Sequence, residues 1–178
     1  MKKGNSSQDE KIACLRKGLS ELQECQTRGD IYTTTIQLME QIHDCNFCVL
    51  QLRNHNTLIA RKNSRGRNGD DCNPYKIGKE LSGLTLKKAE VIRDDYFTGS
   101  SGTLSLPGKI NSYVSVPVGS IGTIQVFRLE GEKFTEHDVN ILQILADHLR
   151  EMIPRAELEG DLREKAMRDQ ITGLYHRR

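Results

Sequence analysis

The stretch Ser112–Arg150, SYVSVPVGSIGTIQVFRLEGEKFTEHDVNILQILADHLR, sets the architecture of the chain. Val114, Val116 and Val118 alternate with Tyr113 and Ser115, the period-two signature of a strand with one buried face. Pro117 cannot donate to a strand ladder, so it places this strand near a sheet edge or breaks it. Gly119-Ser120-Ile121-Gly122 predicts a turn. Thr123 to Leu129 alternates again, with Ile124 and Val126 apolar on one side and Gly131 closing the strand. Thr135 reads as an N-cap, and Asp138 three residues later makes a loose capping box. Val139, Leu142, Leu145, Ala146 and Leu149 then recur at helical spacing, and Ile141, Ile144 and Ile153 widen the stripe. Two strands, a tight turn and a long amphipathic helix form one packing unit.

Size and composition frame that unit. A chain of 178 residues fits one ordinary domain with extensions, and 36% hydrophobic with 28% charged residues is a soluble, globular composition. A formal charge of +2 makes no case for nucleic acid or an anionic membrane as partner. No apolar run approaches membrane-spanning length, and the opening MKKGNSSQDEK lacks the apolar core of a signal peptide. Five cysteines without an export signal predict reduced thiols in the cytoplasm.

Upstream, residues 1–8 read as a disordered start. Ile12, Leu15, Leu19 and Leu22 then fall at spacings of three, four and three, a heptad seam that Gly29 ends. Two heptads leave open whether this helix packs on its own domain or pairs with a second chain. A second helix follows, with Ile31, Thr34, Thr35, Leu38, Met39 and Ile42 facing inward. Asn46–Leu52 is a strand carrying Cys48, Leu50 and Leu52 on one face and Phe47, Val49 and Gln51 on the other. Its partner begins at Leu58, across the Asn54-His55-Asn56 turn. Arg61–Asp71 is polar and glycine-rich, an exposed hairpin tip. From Tyr75 to Ile110 the pattern weakens to a short helix near Lys79–Thr85, a strand at Val91-Ile92 and a Gly/Ser/Thr-rich segment. Connections of this length are usually functional or mobile. Pro154 is expected to break the final helix, and Arg155–Asp169 to resume one with only Leu158, Leu162 and Ala166 apolar.

The order of these pieces resembles the GAF domain family over Gly29–Ile153. The resemblance rests on Val116-Pro117-Val118, Ile121-Gly122-Thr123-Ile124, Phe134, Asp138 and the Leu-rich helix. Upstream it draws on Tyr75–Gly83 and Glu90–Asp94. It implies an α+β fold: an antiparallel sheet with helices on one face, a variable ligand-covering connection on the other, and flanking N- and C-terminal helices. The ending Asp169–Arg178, DQITGLYHRR, resembles the opening motif of GGDEF diguanylate cyclase domains, with Ile171 and His176 departing from the usual Leu and Asn. The implied organisation is a helical extension at 1–28, a GAF domain at 29–153, a linker helix at 154–168 and the start of a GGDEF domain at 169–178. The catalytic motifs of a cyclase are absent from these residues, so the chain itself does not cyclise GTP.

Several constellations invite chemistry. Cys45-Asn46-Phe47-Cys48 has redox-pair spacing, but it follows a helix C-terminus, where the dipole disfavours thiolate. It has no second such pair with which to bind zinc, and buried structural cysteines are expected. Cys72 resembles the attachment cysteine of bilin-binding GAF domains without the accompanying aromatic or His. Phe134 and Asp138 match part of the motif of cyclic-nucleotide-binding GAF domains, but Glu132 and Val139 depart from it. They read as a core anchor and a helix N-terminal charge. The five histidines show no metal or haem spacing.

Gln51, Ser115 and Gln125 stand mid-strand on the face opposite Leu50, Val116 and Ile124. In the GAF sheet order their strands are neighbours, so they form either a polar layer beneath the variable connection or simply a wetter sheet face. Tyr113 and Thr123 share that face, and Tyr96 and Phe97 lie on the connection expected to cover it. A cavity bounded by these seven residues, between the sheet and the segment from Tyr75 to Ile110, would have aromatic walls and a polar floor and suit a small polar or planar ligand. No cofactor is named by the sequence. The expected function is a non-catalytic sensory module that forms a homodimer through its flanking helices and controls a downstream diguanylate cyclase. The alternatives are a GAF-type redox enzyme, such as a free-methionine sulfoxide reductase, and a ligand-free dimerisation scaffold.

Overall fold

The computed structural model describes residues 8–63, 75–76, 81–94, 110–129 and 131–172. The elements in chain order are α1 (Gln8–Glu24), α2 (Arg28–His43), β1 (Phe47–Asn54), β2 (Thr57–Asn63), β3 (Tyr75–Lys76), α3 (Leu81–Lys88), β4 (Ile92–Asp94), β5 (Ser112–Val118), β6 (Gly122–Arg128) and α4 (Glu136–Thr172). The strands form a six-stranded sheet in the order β3-β2-β1-β6-β5-β4, and every pairing is antiparallel. Strands β1, β6 and β5 are adjacent at its centre, as the sequence reading required. Pro117 lies past the end of β4, which reaches β5 only as far as Ser115, so its missing N–H breaks no bond to that neighbour.

Alternation along the central strands sorts the side chains into two layers. Cys48, Leu50, Leu52, Val114, Val116, Val118, Ile124 and Val126 meet α1, α2 and α4 in one dry core, which includes Leu38 and Leu145. On the opposite face Phe47, Val49, Ala60, Ile110, Tyr113 and Phe127 form a second, smaller cluster, with Leu81 of α3 packed against it. The architecture is the expected α+β one, and of the described helices α3 is the one on the far side.

The helices depart from the sequence reading in instructive places. Gly29 does not end α1. Thr27 caps α2, its hydroxyl accepting from the Asp30 amide at 3.2 Å, so Gly29 lies in the first turn of the following helix. The heptad seam turns largely inward: Leu15 and Leu22 are buried in the domain core, Leu19 is half-buried, and only Ile12 reaches exposure. Gly18 completes the inward face, because a Cβ there would press on the Leu38 side chain. Ile144 is 49% exposed and does not widen the core stripe of α4. Nor does Pro154 break α4, which runs through it as one helix of 37 residues. Proline removes one i to i−4 bond, but at an exposed position, next to the buried anchor Ile153, that loss is tolerated.

Candidate functional site

The far face of the sheet is built in rows by the strand register. Phe47 and Tyr113 both stand opposite Phe127, giving an aromatic row with ring centroids 5.8 and 6.1 Å apart. The next row is Val49, Gln125 and Ser115, and the one after it sets Gln51 opposite Thr123. Gln51, Ser115, Thr123 and Gln125 are all buried. The polar layer is therefore real, and it is not a wet surface.

Its members bond in two groups. Thr123 donates its hydroxyl to Gln51 Oε1 at 3.4 Å. Gln125 Nε2 donates to Ser115 Oγ at 3.1 Å, and Ser115 Oγ lies 2.7 Å from Thr85 Oγ1. Thr85 is also 2.8 Å from the Leu81 carbonyl, which can only accept. With one proton per hydroxyl, the consistent arrangement runs Gln125 to Ser115 to Thr85 to Leu81, each group donating to the next. This ties α3 onto β5 and β6. Among the described residues Gln51 Nε2 and Gln125 Oε1 make no hydrogen bond, so each amide keeps one polar group unspent. Of the predicted site residues, Gln51, Tyr113, Ser115, Thr123 and Gln125 are brought together, with Tyr113 in the aromatic row beside the polar layer. Tyr96 and Phe97 lie outside the described residues, as does Cys72. Thr85 was missed because its helix has too weak an apolar pattern to fix which side faces in.

A second cluster lies on the helix side, at the start of α4. Thr135 and Asp138 form the capping box: the Asp138 amide donates to Thr135 Oγ1 at 3.2 Å, and the Thr135 amide donates to Asp138 Oδ2 at 2.8 Å. Lys11 of α1 reaches Asp138 Oδ1 at 2.7 Å. Burial alone would raise the Asp138 carboxyl. The His43 imidazole, the Lys11 ammonium and the Thr135 donors outweigh it and hold the group well below the usual carboxylate range. Lys11 and Thr135 carry most of that effect, since His43 Nδ1 stands 3.6 Å from Oδ1, too long for a hydrogen bond. Both His43 nitrogens are buried without a hydrogen-bond partner, and burial pushes the imidazole below its ordinary range, leaving it neutral. Arg128 donates to the carbonyls of Glu132 and His43 and stacks 4.2 Å over the Phe134 ring. Phe134 and Asp138 are thus a core anchor and a helix-terminal charge, as read. Lys11 was missed, although it stands four residues before Leu15 on the face that Gly18 and Leu22 continue.

The cysteines take structural places. Cys48 is fully buried in the dry core, Cys45 packs against that core, and neither is in a disulfide. Burial raises the Cys14 thiol, whose Sγ lies 3.6 Å from Gln41 Oε1. Among the described residues no three His, Cys, Asp or Glu side chains converge to hold a metal ion, and no helix is long and apolar enough to cross a membrane.

An antiparallel sheet covered by α1, α2 and α4 on one side and bearing a buried polar layer on the other is an α+β domain of the sensory and regulatory type. The family model of the GAF domain matches residues 25–153, and the chain belongs to that family, a sensory and regulatory fold some of whose members are enzymes. Solved structures agree at the level of fold. The GAF domain of a phosphoenolpyruvate-protein phosphotransferase from Acinetobacter superposes with a TM-score of 0.73 at 18% identity, covering 84% of this chain and 96% of that one. Free methionine-R-sulfoxide reductase from Neisseria meningitidis gives 0.75 at 14% identity, covering 88% and 95%. The GAF domain of a two-component sensor histidine kinase from Bacillus halodurans gives 0.64 at 17%, covering 76% and 99%. No curated protein matches the chain significantly.

Proposed function

We propose that this chain is a non-catalytic sensory module: its far sheet face holds a small polar or planar molecule, and its flanking helices pair with a second copy to control a downstream diguanylate cyclase. The observation that carries the ligand site is the unspent half of the floor. Gln51 Nε2 and Gln125 Oε1 make no hydrogen bond to another described residue, so both stay available to a ligand above the floor. The aromatic row of Phe47, Phe127 and Tyr113 walls one end, and Tyr96 and Phe97 are assigned to the covering connection. In this division residues 29–153 are the sensor, 154–168 the linker and 169–178 the start of a GGDEF domain. The link to a cyclase rests on the resemblance of Asp169–Arg178 to that domain's opening motif, toward which α4 carries the chain without interruption. Free cysteines suit a reducing, cytoplasmic setting.

Redox catalysis has less to stand on. The described cysteines lie on α1, between helices, and on or before the helix-side face of β1, away from the polar floor. Absence of free methionine sulfoxide turnover is the expected result. The ligand reading is tested by calorimetry with nucleobases, amino acids and cyclic nucleotides, comparing the wild type with Gln125→Leu. The substitution should weaken any hit about tenfold, since it removes a hydrogen bond at the floor, while leaving the unfolding transition cooperative. A hit bound equally well by both proteins would refute the floor assignment.

A further inference from the structure

A cleft of about 280 Å³ opens where α4 leaves the domain, on the opposite side of the sheet from the polar floor. Its base is apolar: Leu52 and Ile153 are buried and Ile121 is half-buried. Its rim carries Arg53, Arg61, His55 and Ser120 from four separate segments, β1, β2, the β1–β2 turn and the β5–β6 turn. Among the described residues the two rim guanidinium groups have no carboxylate partner. Arg61 makes no hydrogen bond or ion pair with another described residue. Arg53 spends only Nε, on the His55 carbonyl at 2.9 Å, leaving both terminal nitrogens available. His55 engages Asn54 through Nδ1 alone, at 2.9 Å. One carboxylate, Glu157, lines the cleft, and Arg28 from α2 already faces it at 3.4 Å.

We infer that this cleft binds a small organic anion, a phosphate monoester with a short apolar body. Two guanidinium groups and a hydroxyl supply more donors than the two oxygens of a carboxylate accept well, whereas a phosphate presents three oxygens to a planar fork. The base of Leu52, Ile121 and Ile153 supplies contact that a bare inorganic ion cannot use, and the volume suits a ligand near the lower limit for small-molecule sites. Occupancy would join the β1–β2 and β5–β6 turns to Ile153, Pro154 and Glu157. It would clamp α4 at its exit from the domain. The turn already approaches the helix here, since a Cβ on Gly119 would press on the Arg150 side chain.

The test is an amide-resolved NMR titration of the full chain with phenyl phosphate, inorganic phosphate and phenol in parallel at 150 mM salt. Phenyl phosphate should move the amides of Arg53, Ser120, Ile121 and Glu157, with affinity at least severalfold tighter than inorganic phosphate; phenol should not bind. Arg61→Gln and Arg53→Gln should each weaken phenyl phosphate by about tenfold, one charge-assisted contact apiece. Gln125→Leu should leave this titration unchanged, which separates the cleft from the floor. Both arginines are exposed, so the variants fold. Shifts that survive either substitution would mark only non-specific anion association, and equal affinity for both phosphates would remove the apolar base. Either result, or no shift at all, overturns the inference.

Discussion

Lys11 and Asp138 join the first helix to the last, and severing them should be costly. Lys11 is 12% exposed and Asp138 1% exposed, so the pair is largely shielded from water. Removing one member of a buried pair typically costs about 3–5 kcal/mol, because the other charge stays buried without its counterion. In Lys11→Met the aliphatic stem is retained, and Thr135 still donates to the carboxylate through both its amide and its hydroxyl. The lower end of the range, about 3 kcal/mol, is therefore expected. For a chain of this size, that lowers the melting temperature by roughly 6–12 °C. Asp138→Asn should cost less, about 2 kcal/mol, since Lys11 can turn toward solvent. Urea denaturation of both single variants and the double variant gives the coupling. The reasoning fails if Lys11→Met costs under about 0.5 kcal/mol, or if the two losses add within the scatter seen for independent sites.

Acid should weaken the fold in two stages. Burial holds neutral His43 below its unfolded value while Asp138, Lys11 and Arg128 stand around it. The unfolded chain therefore takes up the proton first, and stability drops as pH falls below about 6.5. His43→Leu should lose that upper stage in denaturation curves from pH 7.5 to 5.5; parallel curves would refute it. Asp138, whose folded value is depressed, keeps its contribution above about pH 4 and loses it below. Gly122→Ala should destabilise by roughly 1–3 kcal/mol, because its Cβ would land on the Gln51 carbonyl oxygen in the β1–β6 ladder; a cost below that range in urea would count against the register. Leu158 and Leu162 are 62% and 57% exposed, so the chain should scatter light as a dimer at tens of micromolar, and Leu158→Glu with Leu162→Glu should give monomers. A monomeric wild type would dismiss helix-mediated pairing.

Strand parity carried most of what could be read in advance. Period-two alternation assigns each side chain to a face without reference to distant contacts, which is why Gln51, Ser115 and Gln125 could be grouped and then met Thr123 in the ladder. The capping box was equally local, needing only Thr135 and Asp138. Helix faces were harder. In α1 the predicted seam of Ile12, Leu15, Leu19 and Leu22 and the true face of Lys11, Leu15, Gly18 and Leu22 share Leu15 and Leu22 and differ by one residue at the other two positions. Only the tertiary partners Leu38 and Asp138 distinguish them. Pro154 was misread because propensity judges one residue, while anchoring at Ile153 lies with the core.

The unbroken α4 has a consequence for whatever is attached to its far end. An α-helix turns by about 100° per residue, so any partner joined rigidly to residue 172 is held at a fixed azimuth about the helix axis. Adding or removing one residue after Ile153 would swing that partner by more than a right angle. A change of seven would restore it to within about 20°, displaced by roughly two turns along the axis. For anything joined rigidly beyond α4, the spacing from this domain would be a phase, tolerant of heptads and intolerant of the lengths between.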